Sequence, residues 1–338
     1  MIPAGAQLAH AADIDTSLGG FVKLQYGLTG ASGQRGGGQG ALLDGETHLE
    51  ILGQTDTGVL YGARLQLLRA AKPGDNGTYI KAGWAWGEFR LGDYGGAAKE
   101  LSVSAPTIGV GQIDGALDRF GGPSALIAPY GLNKDDSTKL TYLSPSILGI
   151  RLGLSYTPEL SGGGVEPVPA RPVNGIDAHR NVVEIALGAA RDMGDVSLTA
   201  GAAYVAGDAR SGSRLHDLSG GAVGARVAWN GFTAGGGFVY DGANSLPPDR
   251  RPGHAFLDSV ISEVNMGIAY QFARWNFGVS WAHDDRKALP SNDIIAAGLS
   301  YRLVEGLTLG VDLLHYTAPA EERAGSQNAV IAETALHF

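Results

Sequence analysis

The histidines and acids that could do chemistry in this 338-residue chain are poorly placed for it. His283-Asp284-Asp285 and His216-Asp217 stand at the bases of glycine-, proline- and serine-rich stretches, where solvated surface is the default. Asp13-x-Asp15-x-Ser17 starts like a calcium loop but lacks the closing glutamate. No Gly-x-Ser-x-Gly elbow, His-Glu-x-x-His pair or phosphate-cradling glycine loop is present, so no enzymatic reaction is expected. The absence of cysteine excludes a disulfide framework and thiolate metal sites. A net charge of -9 leaves no basic stripe for nucleic acid. No cofactor is expected; the metal reading left open is calcium held by clustered loop carboxylates.

The remaining charges share a spacing. Lys23 lies between Val22 and Leu24, Arg64 between Ala63 and Leu65, and Lys81 between Ile80 and Ala82. His48 falls on one parity with Glu46 and Glu50, against Leu49 and Ile51. Arg90, Lys139 and Arg151 repeat the pattern. A second set, Glu100, Asp114, Asp118, Asp135 and Asp136, sits in the stretch 95–137, too long for an ordinary connection. Fixed charges like these catalyse nothing. At the narrow point of a water-filled passage, where solutes are partly stripped of water, they sort permeants by charge and dipole. For any one of them, simple solvation is the competing reading.

Such charges need walls, and the chain supplies strands. Period two runs from Ser17 to Phe338: Val264, Met266, Ile268, Tyr270 and Phe272 alternate with Glu263, Asn265, Gly267 and Gln271. Val223, Ala225, Val227 and Trp229 alternate with Gly224 and Arg226 in the same way. Short links such as Asn230-Gly231, Ala273-Arg274 and Val304-Glu305-Gly306 alternate with longer ones at about 27–45, 71–77, 95–137, 158–179, 207–217, 241–258, 284–292 and 317–327. That makes roughly sixteen strands, with short turns at one rim and long loops at the other. The chain is therefore all-β, an antiparallel barrel crossing a membrane. Charged residues are 17% and mean hydropathy is -0.01, with no run of about 18 apolar residues to make a spanning helix. Variable repeat distances argue against a solenoid. A soluble sandwich is disfavoured because the polar face carries glycine and alanine as often as charge.

Aromatic residues mark two levels. Trp229 and Phe232 flank one short turn, and Phe272, Trp275 and Phe277 another, while Tyr240, Trp281, Tyr156 and Tyr204 sit at the loop-side ends of their strands. From Phe232 to Tyr240, at about 3.4 Å per residue and a tilt near 40°, the strand projects roughly 21 Å along the membrane normal. An outer-membrane apolar band is about 25 Å tall and bounded by aromatic girdles. The final residues VIAETALHF put Phe338, Leu336, Thr334, Ala332 and Val330 on one face. A terminal aromatic at the last outward position is similar to the signature that barrel assembly machinery reads. At the other end, Ala9-His10-Ala11 matches an A-x-A cleavage site. Residues 1–12 read as the tail of an export signal or a frayed arm, and 13–338 as one barrel domain.

The chain resembles the general bacterial porin family, particularly the porins of alphaproteobacteria. The resemblance runs from about Asp15 onward and is most specific in SLGGFVKLQYG, THLEILGQTDTGVLYGARLQL, WGEFRLGDYGG and TKLTYLSPSILGIRLGLSYTPE, with Tyr142-x-Ser144-Pro145 before a short turn. It implies a 16-stranded, homotrimeric outer-membrane barrel, embedded in lipid and lipopolysaccharide, whose third loop folds inward to narrow the channel. It also implies that basic wall residues (Lys23, His48, Arg64, Lys81) face acidic loop residues (Glu100, Asp114, Asp118), with His48 where an arginine is frequent. The expected function is passive diffusion of ions and small hydrophilic solutes with mild cation preference. The alternatives are a closed-lumen barrel serving adhesion or envelope structure, and a soluble all-β binding protein.

Overall fold

The computed structural model describes residues 14–31, 38–69, 77–109, 137–160, 179–211, 217–242, 261–286, 291–318 and 325–338. Sixteen antiparallel strands close into one barrel. They are β1 (Ile14–Ala31), β2 (Gly38–Gln54), β3 (Leu60–Arg69), β4 (Thr78–Trp84), β5 (Gly87–Asp93), β6 (Thr138–Leu143), β7 (Ile150–Glu159) and β8 (His179–Met193). The second half comprises β9 (Val196–Ala209), β10 (Leu218–Trp229), β11 (Phe232–Gly242), β12 (Ile261–Phe272), β13 (Trp275–Arg286), β14 (Asn292–Val304), β15 (Leu307–Ala318) and β16 (Gly325–His337). Each strand pairs with its neighbours in sequence, and β16 returns to β1.

The turn sequences account for the short rim. Asn230 and Gly231 both take positive φ, 47° and 83°, the type I′ geometry that matches strand twist. The first long link is shorter than its glycine-rich sequence suggests. The sequence reads 27–45 as a long link, yet β1 and β2 stay paired as far as Thr29↔Gly38. Above the membrane a ladder needs backbone partners but no apolar alternation, so the sequence pattern fades before the strands end.

Alternation sorts the side chains by face. Leu18, Leu24, Leu43, Ile80, Ile185, Val223, Met266, Val279, Ile295 and Leu313 are exposed on the outer surface, as are Phe338, Leu336 and Val330. Trp229, Phe232, Phe272 and Trp275 stand outward at the short-turn rim, with Phe232 4.3 Å from Tyr270 and Trp275 4.5 Å from Tyr301, centroid to centroid. Tyr240 is outward at the loop-side rim, where the Trp281 indole Nε1 donates to Asp293 at 3.3 Å. A further group escapes the sequence reading. Trp84 stacks on Trp86 at 5.3 Å, and Phe89 lies 5.1 Å from Tyr142, extending the aromatic rim around β4–β6.

A charge placed on this outer face should be costly. Val279→Arg, midway along β13, is expected to destabilise the barrel by about 2–4 kcal/mol. Asn276→Arg, on the inward face of the same strand opposite Gln271 and Ser300, should change stability little. Urea unfolding of the two variants in lipid vesicles checks the difference.

Candidate functional site

The stretch after β5 turns inward. It begins at Tyr94, whose hydroxyl donates to the Arg90 carbonyl at 3.0 Å. Burial holds the Tyr94 phenol above its usual range, so it remains protonated. A single helical turn, α1 (Ala97–Glu100), follows, and the chain then runs along the inner wall to Gly109. Its polar backbone is gripped by side chains from the wall. The Ala97 amide donates to Ser155 Oγ on β7 at 2.7 Å, and the Ala98 amide to Glu184 Oε2 on β8 at 2.8 Å. The Ala105 amide donates to Asn265 Oδ1 on β12 at 2.8 Å. Arg226 on β10 donates from Nη2 to the carbonyls of Ser104 at 2.9 Å and Ala105 at 3.2 Å. Glu184 and Asn265 are buried, and each such bond contributes about 1 kcal/mol net, more where the partner is charged.

Between these grips the wall is made of glycine. Gly188, Gly201, Gly224 and Gly237 are register partners across β8, β9, β10 and β11, and Gly278 pairs with Gly298 across β13 and β14. A Cβ at Gly201 would run into the Leu101 carbonyl, and one at Gly224 into the Val103 carbonyl. One at Gly278 would meet the Ile108 side chain at 2.6 Å. Glycine weakens a strand and marks the close approach of another backbone. Here the approaching backbone is the loop, and the glycines form the shelf on which it lies. In the sequence they read only as small residues on the wet face.

The opposite wall carries the charges. Ser155 faces the bore, and the register carries its face through Thr141, Arg90, Lys81, Gly62 and Leu52, from β7 back to β2. Lys81, Arg64, His48, Glu50 and Glu46 therefore point inward, and the pair Lys23↔Asp44 continues the face onto β1. Lys81 Nζ donates to Glu50 Oε1 at 2.7 Å, passing over Gly62, which has no side chain to block it. Arg64 lies 3.6 Å and His48 3.7 Å from the Glu46 carboxylate. Arg90 bonds Glu88 at 2.5 Å and reaches loop residue Glu100 at 3.4 Å. Lys23 rests 4.8 Å over the inward ring of Phe21.

Each basic candidate stands on the inward face that parity gave it, and the structure places the loop candidate Glu100 beside Arg90. Parity did not indicate that those cations lie beside carboxylates of their own wall. Those pairings need the register of neighbouring strands, as Lys81 and Glu50 are 31 residues apart. Lys139 is buried and donates to the Tyr94 carbonyl, and Arg151 donates to the Ser144 carbonyl at 3.0 Å, so both brace the wall. Asp114, Asp118, Asp135 and Asp136 lie outside the described residues, as do Asp13 and His216. Among the described residues no cluster of His, Asp or Glu could hold a metal ion.

A closed sixteen-stranded barrel, apolar outside, charged within and carrying a loop along its inner wall, is the architecture of a membrane channel. The chain matches the Gram-negative porin family over residues 1–320 and belongs to it. It is an integral outer-membrane protein and a general diffusion channel. Comparison with curated protein sequences finds no match. Among solved structures it is similar to an anion-selective porin from Comamonas acidovorans, with TM-score 0.64 at 16% identity, covering 96% of this chain and 100% of that one. It is also similar to the outer membrane channel DcaP of Acinetobacter baumannii (TM-score 0.64, 13% identity, 97% and 98% covered). A mutant of Rh. blastica porin matches at TM-score 0.58 and 17% identity, covering 96% and 100%. At these identities the likeness establishes the fold.

The shelf makes a specific forecast. Gly224→Val should push the loop off the wall and toward the bore axis, lowering single-channel conductance while the barrel still folds. Gly40→Val, where a Cβ would meet open space, should conduct like the wild type. Single-channel recording of the two variants decides it.

Proposed function

We propose that this porin passes small hydrophilic solutes and ions with mild preference for cations, through a constriction between the β1–β5 wall and the loop. The observation that supports this reading is the position of the loop. Residues 97–109 lie along β7 to β15, which leaves the charged wall of β1–β5 facing the bore. Lys23, His48, Arg64 and Lys81 are its basic candidates and Glu100 its acidic loop candidate, with Asp114 and Asp118 assigned the same role by resemblance.

The charge balance on this wall gives the sign. Lys23, Arg64, Lys81 and Arg90 are accompanied by Asp44, Glu46, Glu50 and Glu88, with Glu333 beside them on β16, where it accepts from Gln25 at 2.6 Å. Paired cations present little net field to a passing anion, and among these described side chains the carboxylates outnumber the cations by one, in the same sense as the whole chain at -9. Such a wall sorts solutes and performs no reaction, so the protein is read as a channel and not an enzyme. Homotrimeric assembly, contact with lipopolysaccharide and recognition of Phe338 by the assembly machinery complete the reading by analogy with the family. Calcium held by loop carboxylates is the remaining cofactor candidate.

Planar-bilayer recording tests this. Purified protein should insert in steps of three equal conductances, and a salt gradient should give a small reversal potential of cation-preferring sign. Glu50→Gln, which frees the Lys81 ammonium, should move that potential toward anions. A firm anion preference in the wild type would contradict the proposal.

A further inference from the structure

On the outer surface near the short-turn rim, the belt of large apolar side chains is interrupted. Ile150, Ala189, Ala200 and Ala225 are register neighbours across β7, β8, β9 and β10. Three successive alanines where leucine, isoleucine or valine is otherwise usual leave a groove of about 690 Å³, walled on one side by Leu148 and Ile150. At its edge stands Arg191, exposed and outward like its register partner Leu198. Among the described residues no carboxylate pairs with it. Toward the turn, the next outward row is Met193, Val196, Trp229 and Phe232. Arg191 therefore sits on the hydrocarbon side of the aromatic level.

A guanidinium there is expensive unless an anion meets it, and a lipid-facing arginine normally extends its head to the interface for that purpose. No carboxylate among the described residues meets it, whereas the membrane supplies phosphate. Arginine binds phosphate through two parallel N–H donors. The short-turn rim of such barrels faces the periplasm, so the adjacent leaflet is phospholipid. We propose that this groove is a binding site for an anionic glycerophospholipid of the periplasmic leaflet, its phosphate on Arg191 and one acyl chain across Ala189, Ala200 and Ala225. An anionic headgroup fits best because no ammonium of its own competes for the phosphate.

Native mass spectrometry of the full-length protein, released from detergent and titrated with phosphatidylglycerol or phosphatidylcholine, tests the site. The wild type should retain phosphatidylglycerol in preference to phosphatidylcholine. Arg191→Gln should weaken that retention by about tenfold, the loss of a charged hydrogen-bonded pair. Ala200→Leu, which fills the groove and keeps the arginine, should weaken it similarly. Arg191→Lys keeps the charge but not the paired donors and should retain the lipid at a level between those of wild type and Arg191→Gln, and heat-modifiable gel migration of every variant separates lost binding from misfolding. Equal retention by all variants, or no preference in the wild type, overturns the proposal. So does an Ala200→Leu variant that keeps its lipid but loses subunit assembly, which would assign the groove to a second copy of the chain. Channel conductance is unaffected on this reading, so its failure is separable from failure of the pore assignment.

Discussion

Every peptide group that crosses hydrocarbon must find its hydrogen-bond partner inside the protein, because no water is there to replace it. This chain meets the constraint by pairing its last strand with its first. β16 follows β1 from Phe21↔His337 to Ala31↔Gln327, and Gly20 and Phe338 add two backbone bonds of 2.9 and 3.1 Å. Closure also fixes which way each side chain points, since a slip of one residue would exchange the lipid and water faces. The inward set of Lys81, Arg64 and Glu50 and the outward set of Ile80, Leu65 and Leu49 are consequences of one closed ladder.

Inside, the same ladder creates a second problem, because a loop brought into the bore carries amides and carbonyls of its own. The wall answers with Ser155, Glu184, Asn265 and Arg226, placed where those groups arrive. Close approach is possible because the wall has no side chains along Gly188, Gly201, Gly224 and Gly237. Glycine in a strand interior costs about 0.5–1 kcal/mol relative to alanine. The ladder bonds on both sides of each strand and the loop's contacts offset that loss. The result is an asymmetric bore, with a loop on one wall and charge on the other.

The lipid-facing half of the design is legible in sequence because hydrocarbon constrains every second residue. Residues 264–272 alternate in the sequence as they do in the barrel, and the outward set of the closing strand runs unbroken to Phe338. Constraints that act across strands are not visible this way. The Lys81–Glu50 bond depends on Gly62 between them, and Glu184 looks like any polar residue within Val183-Glu184-Ile185. Gly224 and Gly237 show as small inward residues, but the backbone that needs their space lies more than a hundred residues earlier in the chain, at Val103. Trp84 and Trp86 were also missed, since a two-residue turn between short strands gives too little alternation to assign a face.

Hydrocarbon surrounds this molecule while its interior stays wet. The chain has no cysteine, so single cysteines can be introduced along β9 without background. Leu198→Cys, Ala200→Cys and Ala202→Cys should be silent to a water-soluble thiol reagent and carry fluorophores quenched by a lipid-buried quencher, whereas Ser197→Cys and Thr199→Cys should react readily and escape quenching. The reverse parity, or reactivity that does not alternate, would contradict the account.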